Sequence, residues 1–228
     1  MGHGLPTVLV TGGTRGIGRA VCDALAHDHH LVVGGRDATT VASVVATYPS
    51  AEGFVADVTD PDAVARAVDR LDEVYAVVHS AGIWSEGNVA NVGREQWRQV
   101  FDVNVVAVAD LTRLLLPRLR DARGHVVLLN SGAGLTARAG LGPYCASKFA
   151  LVAFADALRD EERGVVRVTS VHPGRVDTDM QEEIFALAGE PYVGSQHIRP
   201  ASVAATIRLA LELGRDANVD SISVRSGL

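Results

Sequence analysis

The sequence predicts an α/β fold: a doubly wound parallel sheet of about seven strands with helices on both faces. Three observations lead there. Short runs rich in Val, Ile and Leu alternate with longer segments whose apolar residues recur at helical period. The first run, Thr7-Val8-Leu9-Val10, ends in a glycine-rich turn that opens directly into a helix. The length of 228 residues, 47% of them hydrophobic, suits a single α/β domain of ~200–250 residues with a sizeable core.

The turn reads Thr11-Gly12-Gly13-Thr14-Arg15-Gly16-Ile17-Gly18. Gly12 lets the chain reverse, Gly16 lets backbone approach a pyrophosphate, and Gly18 lets helix and strand pack closely. The helix that follows, with Ile17, Val21 and Leu25 as its stripe, offers free N–H groups and a positive end to an anion. The spacing is G-x-x-x-G-x-G, not the G-x-G-x-x-G of the usual dinucleotide fingerprint, so a plain tight turn is the competing reading.

The second strand is Leu31-Val32-Val33-Gly34-Gly35. NAD-preferring folds place a carboxylate at its end for the ribose 2′-hydroxyl. Here the position is Gly35, followed by Arg36, with Arg15 in the glycine turn. Two guanidiniums suit a 2′-phosphate, so NADP(H) is expected over NAD(H). Asp37 argues the other way, but it is placed to cap the next helix. Gly53-Phe54-Val55-Ala56 is the third strand, ending in Asp57-Val58; Asp60-Pro61 then caps and opens a helix striped by Val64, Ala67, Val68 and Leu71. The fourth strand, Val74–Val78, runs into His79-Ser80-Ala81-Gly82. In such sheets ligands collect beyond the carboxyl ends of the strands, where Asp57, His79 to Gly82 and the glycine turn all fall.

A long helical segment, about Arg94 to Leu119, carries Asn104 inside an apolar run. The fifth strand, His125–Leu129, ends in Asn130-Ser131-Gly132. Tyr144-Cys145-Ala146-Ser147-Lys148 opens the next helix and puts Tyr144 and Lys148 one turn apart on one face. A free phenol, with a pKa near ~10, is a poor acid at neutral pH, and a nearby ammonium lowers that value toward the working range. Lys148 is the only lysine in a chain whose other basic residues are all arginine.

Together these residues resemble the short-chain dehydrogenase/reductase family. The resemblance rests on Thr11-Gly12-x-x-x-Gly16-Ile17-Gly18, Asp57, Ala81-Gly82, Asn104, Ser131, Tyr144-x-x-x-Lys148 and Pro173-Gly174, in the family's order, from Thr7 to Val224. It implies a Rossmann-like fold and an oxidoreductase. Tyr144 would give a proton to a carbonyl oxygen or take one from an alcohol, and Ser131 would hold that oxygen. Lys148 would lower the tyrosine pKa and bind the nicotinamide ribose, while Asn104 would hold a water linking Lys148 to solvent. Gly12, Thr14, Arg15, Gly16, Ile17, Gly18, Arg36, Asp57, Val58, Ala81, Gly82, Tyr144, Lys148, Pro173, Gly174, Val176 and Thr178 would line the cofactor. The family's Asn-Asn-Ala-Gly reads His79-Ser80-Ala81-Gly82 here, and Asn130 stands where many members have serine.

The sixth strand, Val165–Val171, and the final one, Ser221–Val224, flank a lid at about 179–197 and a last helix opened by Arg199-Pro200-Ala201. The apolar content of the lid, with Trp84 and Leu141 as wall residues, suggests a partly hydrophobic carbonyl or alcohol as small-molecule substrate. Apolar surface on helices 94–119 and 144–160 suggests a homodimer or homotetramer. A net charge of −6 without a basic run argues against nucleic acid, and no apolar run spans a bilayer. Cys22 and Cys145, in no metal or redox spacing, suggest reduced thiols and a cytoplasmic setting. No metal site is expected; His27, His29 and His30 read as a solvated turn. Two other readings stand beside the reductase. One is an NADP(H)-binding redox sensor without turnover; the other, a nucleotide-sugar epimerase, lacks the expected glycine spacing and substrate domain.

Overall fold

The seven apolar runs become β1 (Thr7–Thr11), β2 (His30–Gly35), β3 (Ala51–Val55), β4 (Ala76–His79), β5 (His125–Leu129), β6 (Arg167–Pro173) and β7 (Ser221–Val224). In the computed structural model, which describes residues 4–227, they form one parallel sheet ordered β3-β2-β1-β4-β5-β6-β7. Alternation along the strands feeds two cores. Leu9 and Val77 point to one face, where they meet Leu111, Leu115 and Leu119 of α5 (Ala107–Asp121) and Leu151, Ala155 and Leu158 of α6 (Gly142–Glu161). Val8, Val10 and Val78 point to the other, against Val21, Cys22 and Leu25 of α1 (Gly16–Leu25) and Val203, Ile207 and Leu211 of α8 (Pro200–Glu212). Both cysteines are buried free thiols.

The remaining helices are α2 (Ala38–Val45), α3 (Pro61–Val68), α4 (Arg94–Phe101) and α7 (Asp179–Ala188). Asp60 caps α3 as its sequence predicts, accepting from the N–H groups of Asp62 and Ala63 at 3.1 and 3.0 Å. Asp37 caps α2, accepting from the Thr40 N–H at 2.7 Å. The helical segment expected from about Arg94 to Leu119 runs from Arg94 to Asp121, with Asp102–Val106 as a π-helical turn between α4 and α5 and Asn104 buried inside it. One expectation needs correction: the histidine turn is not solvated. His29 and His30 are buried, with ring nitrogens 2.8 Å from Asp28 and 2.9 Å from Ser50, and only His27 faces solvent. Among the described residues no group of His, Cys, Asp and Glu could hold a metal, and no helix is long and apolar enough to cross a membrane.

Candidate active site

The glycine turn is shaped by close approaches that only glycine permits. Gly12 has φ +64 and Gly16 φ +55. A Cβ on Gly12 would lie 3.1 Å from Ala81 Cα, and one on Gly18 would strike the Gly12 carbonyl oxygen at 2.2 Å. Gly18 therefore lets α1 pack against the turn that leaves β1, rather than against the strand itself. Thr11 Oγ1 accepts from the N–H groups of Ser80 and Ala81, both at 3.1 Å, which ties the turn to the end of β4. Arg15 precedes α1 without a side-chain cap, and the first turn of that helix holds no acidic residue, so its N–H groups face an open cradle.

The other expected cofactor residues gather around that cradle. Thr14 packs against Gly35, and Ile17 against the core beneath. Val58 and Ala81 border one small void with Thr11 and Val103. A Cβ on Gly16 would sit 3.5 Å from Thr178, whose hydroxyl donates to the Val176 carbonyl at 3.2 Å. Pro173 ends β6, and the Gly174 N–H donates to the Val224 carbonyl at 2.8 Å. Arg15 pairs with Asp179 at 3.3 Å, and Arg36 with Asp57 at 3.8 Å; Arg15, Asp179 and Arg36 are exposed and Asp57 is half-buried. Asp57 also accepts from Thr59 N–H and hydroxyl at 2.9 and 2.7 Å, contacts that hold its carboxyl below the usual range.

The four expected catalytic residues lie along one wall formed by β5, the π turn and α6. The Ser131 hydroxyl lies beside the Tyr144 phenol, close enough to act on its ionisation. The Lys148 ammonium lies 5.8 Å from the Tyr144 ring centre and donates to the Leu129 carbonyl at 2.9 Å. Burial pushes Lys148 down to about 8. The phenol departs from expectation. Burial raises Tyr144 above its ordinary value, and the influence opposing this is the Ser131 hydroxyl, not the ammonium. Asn104 has a sharper task than the sequence suggests. Its amide clasps Ile83, accepting from the N–H at 2.9 Å and donating to the carbonyl at 2.8 Å, and it reaches Ser147 Oγ at 3.1 Å. The side chain is thus committed to the strand end beside Gly82. A Cβ on that glycine would lie 3.3 Å from Asn104 Oδ1 and 3.9 Å from Lys148 Nζ.

Residues that carried no assigned function also have clear places. Asn130 is buried, accepts from the Ser131 N–H at 2.9 Å and donates to Ser170 Oγ at 3.3 Å. His79 is a core histidine. The Thr112 hydroxyl donates to the Val108 carbonyl at 2.7 Å, so His79 Nε2 must donate to Thr112, at 2.9 Å, and burial drives its pKa down to about 3. No periodicity marks Asn130; only its place beside a strand-end serine offers a signal.

Beyond the wall opens a cavity of about 350 Å³ lined by Trp84, Ser85, Glu86, Gln96, Glu183 and Leu187, among others. Trp84 is a wall residue as expected. Leu141 instead bridges to the Gly87 backbone. The stretch expected to form a lid, 179–197, holds α7 and a 3₁₀ turn, Gly194–Gln196. Its base is an aromatic cluster: Phe185 lies edge-on to Tyr192 and His197 at 5.5 and 5.3 Å, under the Arg175 guanidinium.

Comparison with known proteins matches this geometry. The family model described as short chain dehydrogenase matches residues 6–188. Glycine betaine reductase of Emericella nidulans is 36% identical over 220 residues, which is 89% of this chain but 17% of that much longer protein. The 3-oxoacyl-[acyl-carrier-protein] reductase FabG of Haemophilus influenzae is 30% identical over 183 residues, covering 76% of this chain and 75% of its own. A crystal structure of a short-chain dehydrogenase from Streptomyces avermitilis is 28% identical and superimposes with TM-score 0.86, over 99% of this chain and 89% of the other. With strand order, glycine turn and the Ser131–Tyr144–Lys148 wall in place, the chain belongs to the short-chain dehydrogenase/reductase family of oxidoreductases.

Proposed function

We propose that this protein is an NADPH-dependent reductase that converts a ketone or aldehyde to an alcohol. One observation carries the reading: the half-buried Tyr144 phenol, beside the Ser131 hydroxyl, shares a helix face with the buried Lys148 ammonium at the carboxyl edge of the sheet. When bound, the nicotinamide supplies the hydride. The cradle fits such a dinucleotide, because Gly12 and Gly16 hold positive φ, a Cβ on Gly12 would crowd Ala81, and the α1 N-terminus has no side-chain cap. Gly16 to Gly18 would hold the pyrophosphate, Asp57 and Val58 the adenine side, and Ala81, Gly82, Pro173, Gly174, Val176 and Thr178 the nicotinamide side. Tyr144 Oη donates its proton to the carbonyl oxygen, Ser131 orients that oxygen, and Lys148 would hold the ribose and stabilise the phenolate left behind until a solvent proton restores it.

The preference for NADPH rests on charge. Arg15 and Arg36 flank the end of β2 at Gly35, while the Asp37 carboxylate is committed to capping α2. Exposed Val106 on the π turn and Phe149 on α6 support a homodimer or homotetramer through these helices, in a cytoplasmic protein. Tyr144→Phe is expected to lower turnover on a carbonyl panel by about 10³-fold while NADPH still binds within a few fold. Undiminished turnover defeats the mechanism, and equal affinity for NADPH and NADH in parallel titrations defeats the cofactor preference.

A further inference from the structure

His172 and Arg225 have no part in the chemistry above, yet both converge on Ser131. The His172 Nδ1–H donates to the Ser131 carbonyl at 3.1 Å, and the His172 carbonyl accepts from Arg225 Nη1 at 2.6 Å. Two residues earlier on the same face of β6, Ser170 holds Asn130, whose Oδ1 in turn holds the Ser131 N–H. The serine backbone is thus gripped on both sides by one strand. Arg225, just past the end of β7, crosses this grip from the neighbouring strand. A Cβ on Gly132 would lie 3.3 Å from Arg225 Nη2, and one on Gly174 3.7 Å from its Cδ, so two glycines clear its path. Neither glycine has a positive φ; the Arg225 side chain simply lies against both. Among the described residues Arg225 has no carboxylate partner; its bonds go to backbone carbonyls of His172 and Val224.

We propose that His172 and Arg225 are positioning residues that set the Ser131 hydroxyl toward Tyr144 by fixing the serine backbone. The proposal rests on the role given to Ser131 under the proposed function. Arg225 locks β6 to β7 at the His172 carbonyl, and His172 passes that constraint to the Ser131 carbonyl. Burial keeps the His172 imidazole neutral more readily than in water, consistent with a single fixed donor at Nδ1. The Ser131 hydroxyl accepts from the Ala133 N–H at 3.1 Å, so with its backbone held on both sides it has little freedom except toward the phenol.

The test uses the full chain with a carbonyl substrate found in the panel. Arg225→Met keeps the stem and removes the donors; His172→Leu removes the imidazole donor, and His172→Asn returns an N–H at similar reach. Arg225→Met and His172→Leu are each expected to lower kcat about five- to tenfold, with the KM for NADPH within twofold and an unchanged melting temperature for Arg225→Met. His172→Asn is expected to recover most of the loss. The decisive arm is Arg225→Met combined with Ser131→Ala, measured by single turnover at high enzyme concentration. Residues acting through the serine cost nothing further once its hydroxyl is gone. Additive losses in that pair, or an unchanged kcat in Arg225→Met, overturn the proposal while leaving the reductase reading in place. A Ser131→Ala enzyme as active as the parent overturns both.

Discussion

The wall that carries Ser131, Tyr144 and Lys148 and the lid that carries α7 face the same edge of the sheet, but they are held by opposite means. On the wall, Asn104 is 1% and Lys148 6% exposed, and each polar group has a short bond to backbone or to a neighbouring side chain. The lid helix α7 buries no residue at all, and Leu187 is 61% exposed. The lid is held instead at its base, where Tyr192 donates to Asp177 at 2.5 Å and packs on Phe185 and His197. Proton transfer needs groups fixed to fractions of an ångström, so it sits on elements that open only with the whole domain. In the proposed function, recognition and release fall to the 179–197 stretch, whose helix buries no residue.

Matched glycines sharpen this contrast most. Gly18 lies at the head of the wall's cofactor cradle, where a Cβ would meet the Gly12 carbonyl oxygen at 2.2 Å. Gly189 ends α7 at φ +67, with nothing within 4 Å of its would-be Cβ. Gly18→Ala is expected to destabilise the domain by roughly 3 kcal/mol and to abolish NADPH binding. Gly189→Ala pays only the left-handed backbone cost, roughly 1 kcal/mol, confined to the lid. Urea unfolding and NADPH titration of both variants test this; equal losses would erase the distinction between the two regions.

Burying a cation in the wall carries a stability penalty that function requires. Lys148 falls from 10.5 to about 8 in the fold, so the unfolded chain binds the proton more readily. The penalty is fully present below pH 8 and fades as pH rises toward 10.5. Lys148→Met removes it, offset in part by the Leu129 carbonyl left without its donor. The variant is expected to be more stable by about 1–2 kcal/mol at pH 7, equal to the parent near pH 10, and without turnover. A destabilised variant at pH 7 would mean that the ammonium's bond to Leu129 outweighs its desolvation. His79 has the same sign at acid pH. Its pKa drops from 6.5 to about 3, so the stability it confers is whole above 6.5 and is lost as pH falls toward 3. His79→Asn is expected to flatten that limb, by about 2 kcal/mol at pH 5 relative to pH 7, read from urea midpoints at the two pH values.

Much of the wall is legible in the chain because local rules force it. The strand runs, the Asp60 cap, the glycine turn and the one-turn spacing of Tyr144 and Lys148 each follow from short-range geometry. What escaped sequence reading depends on contacts far apart in the chain. The π turn at Asp102–Val106 accompanies an Asn104 amide that reaches back to Ile83, a pairing with no local signature. His29 and His30 read as solvated because they are polar, but His30 opens β2 inside the sheet between β1 and β3, and both are buried. The rise of the Tyr144 pKa was hidden for a related reason: spacing shows that an ammonium is near, but the burial that raises the phenol is a property of the whole fold. Asn130 and His172 look like ordinary polar residues until β6 brings them to Ser131.

The smallest expected effect lies where the two regions touch. Arg15 of the cradle pairs with Asp179, the first residue of the lid helix, at 3.3 Å with both side chains over 70% exposed. Such a pair contributes only ~0–0.5 kcal/mol to stability, so Asp179→Asn should leave the urea midpoint almost unmoved. Its effect on binding separates two causes. If Arg15 serves a 2′-phosphate, removing the competing carboxylate frees it, and NADPH should bind about two- to threefold tighter at low salt while NADH does not change. Asp179 also sits in the first turn of α7, where a negative charge favours the helix dipole. Were loosening of that turn the main consequence, NADPH and NADH affinities would shift together, and salt would not remove the effect. Selective, salt-sensitive tightening therefore assigns the contact to the cradle; a shared shift assigns it to the lid.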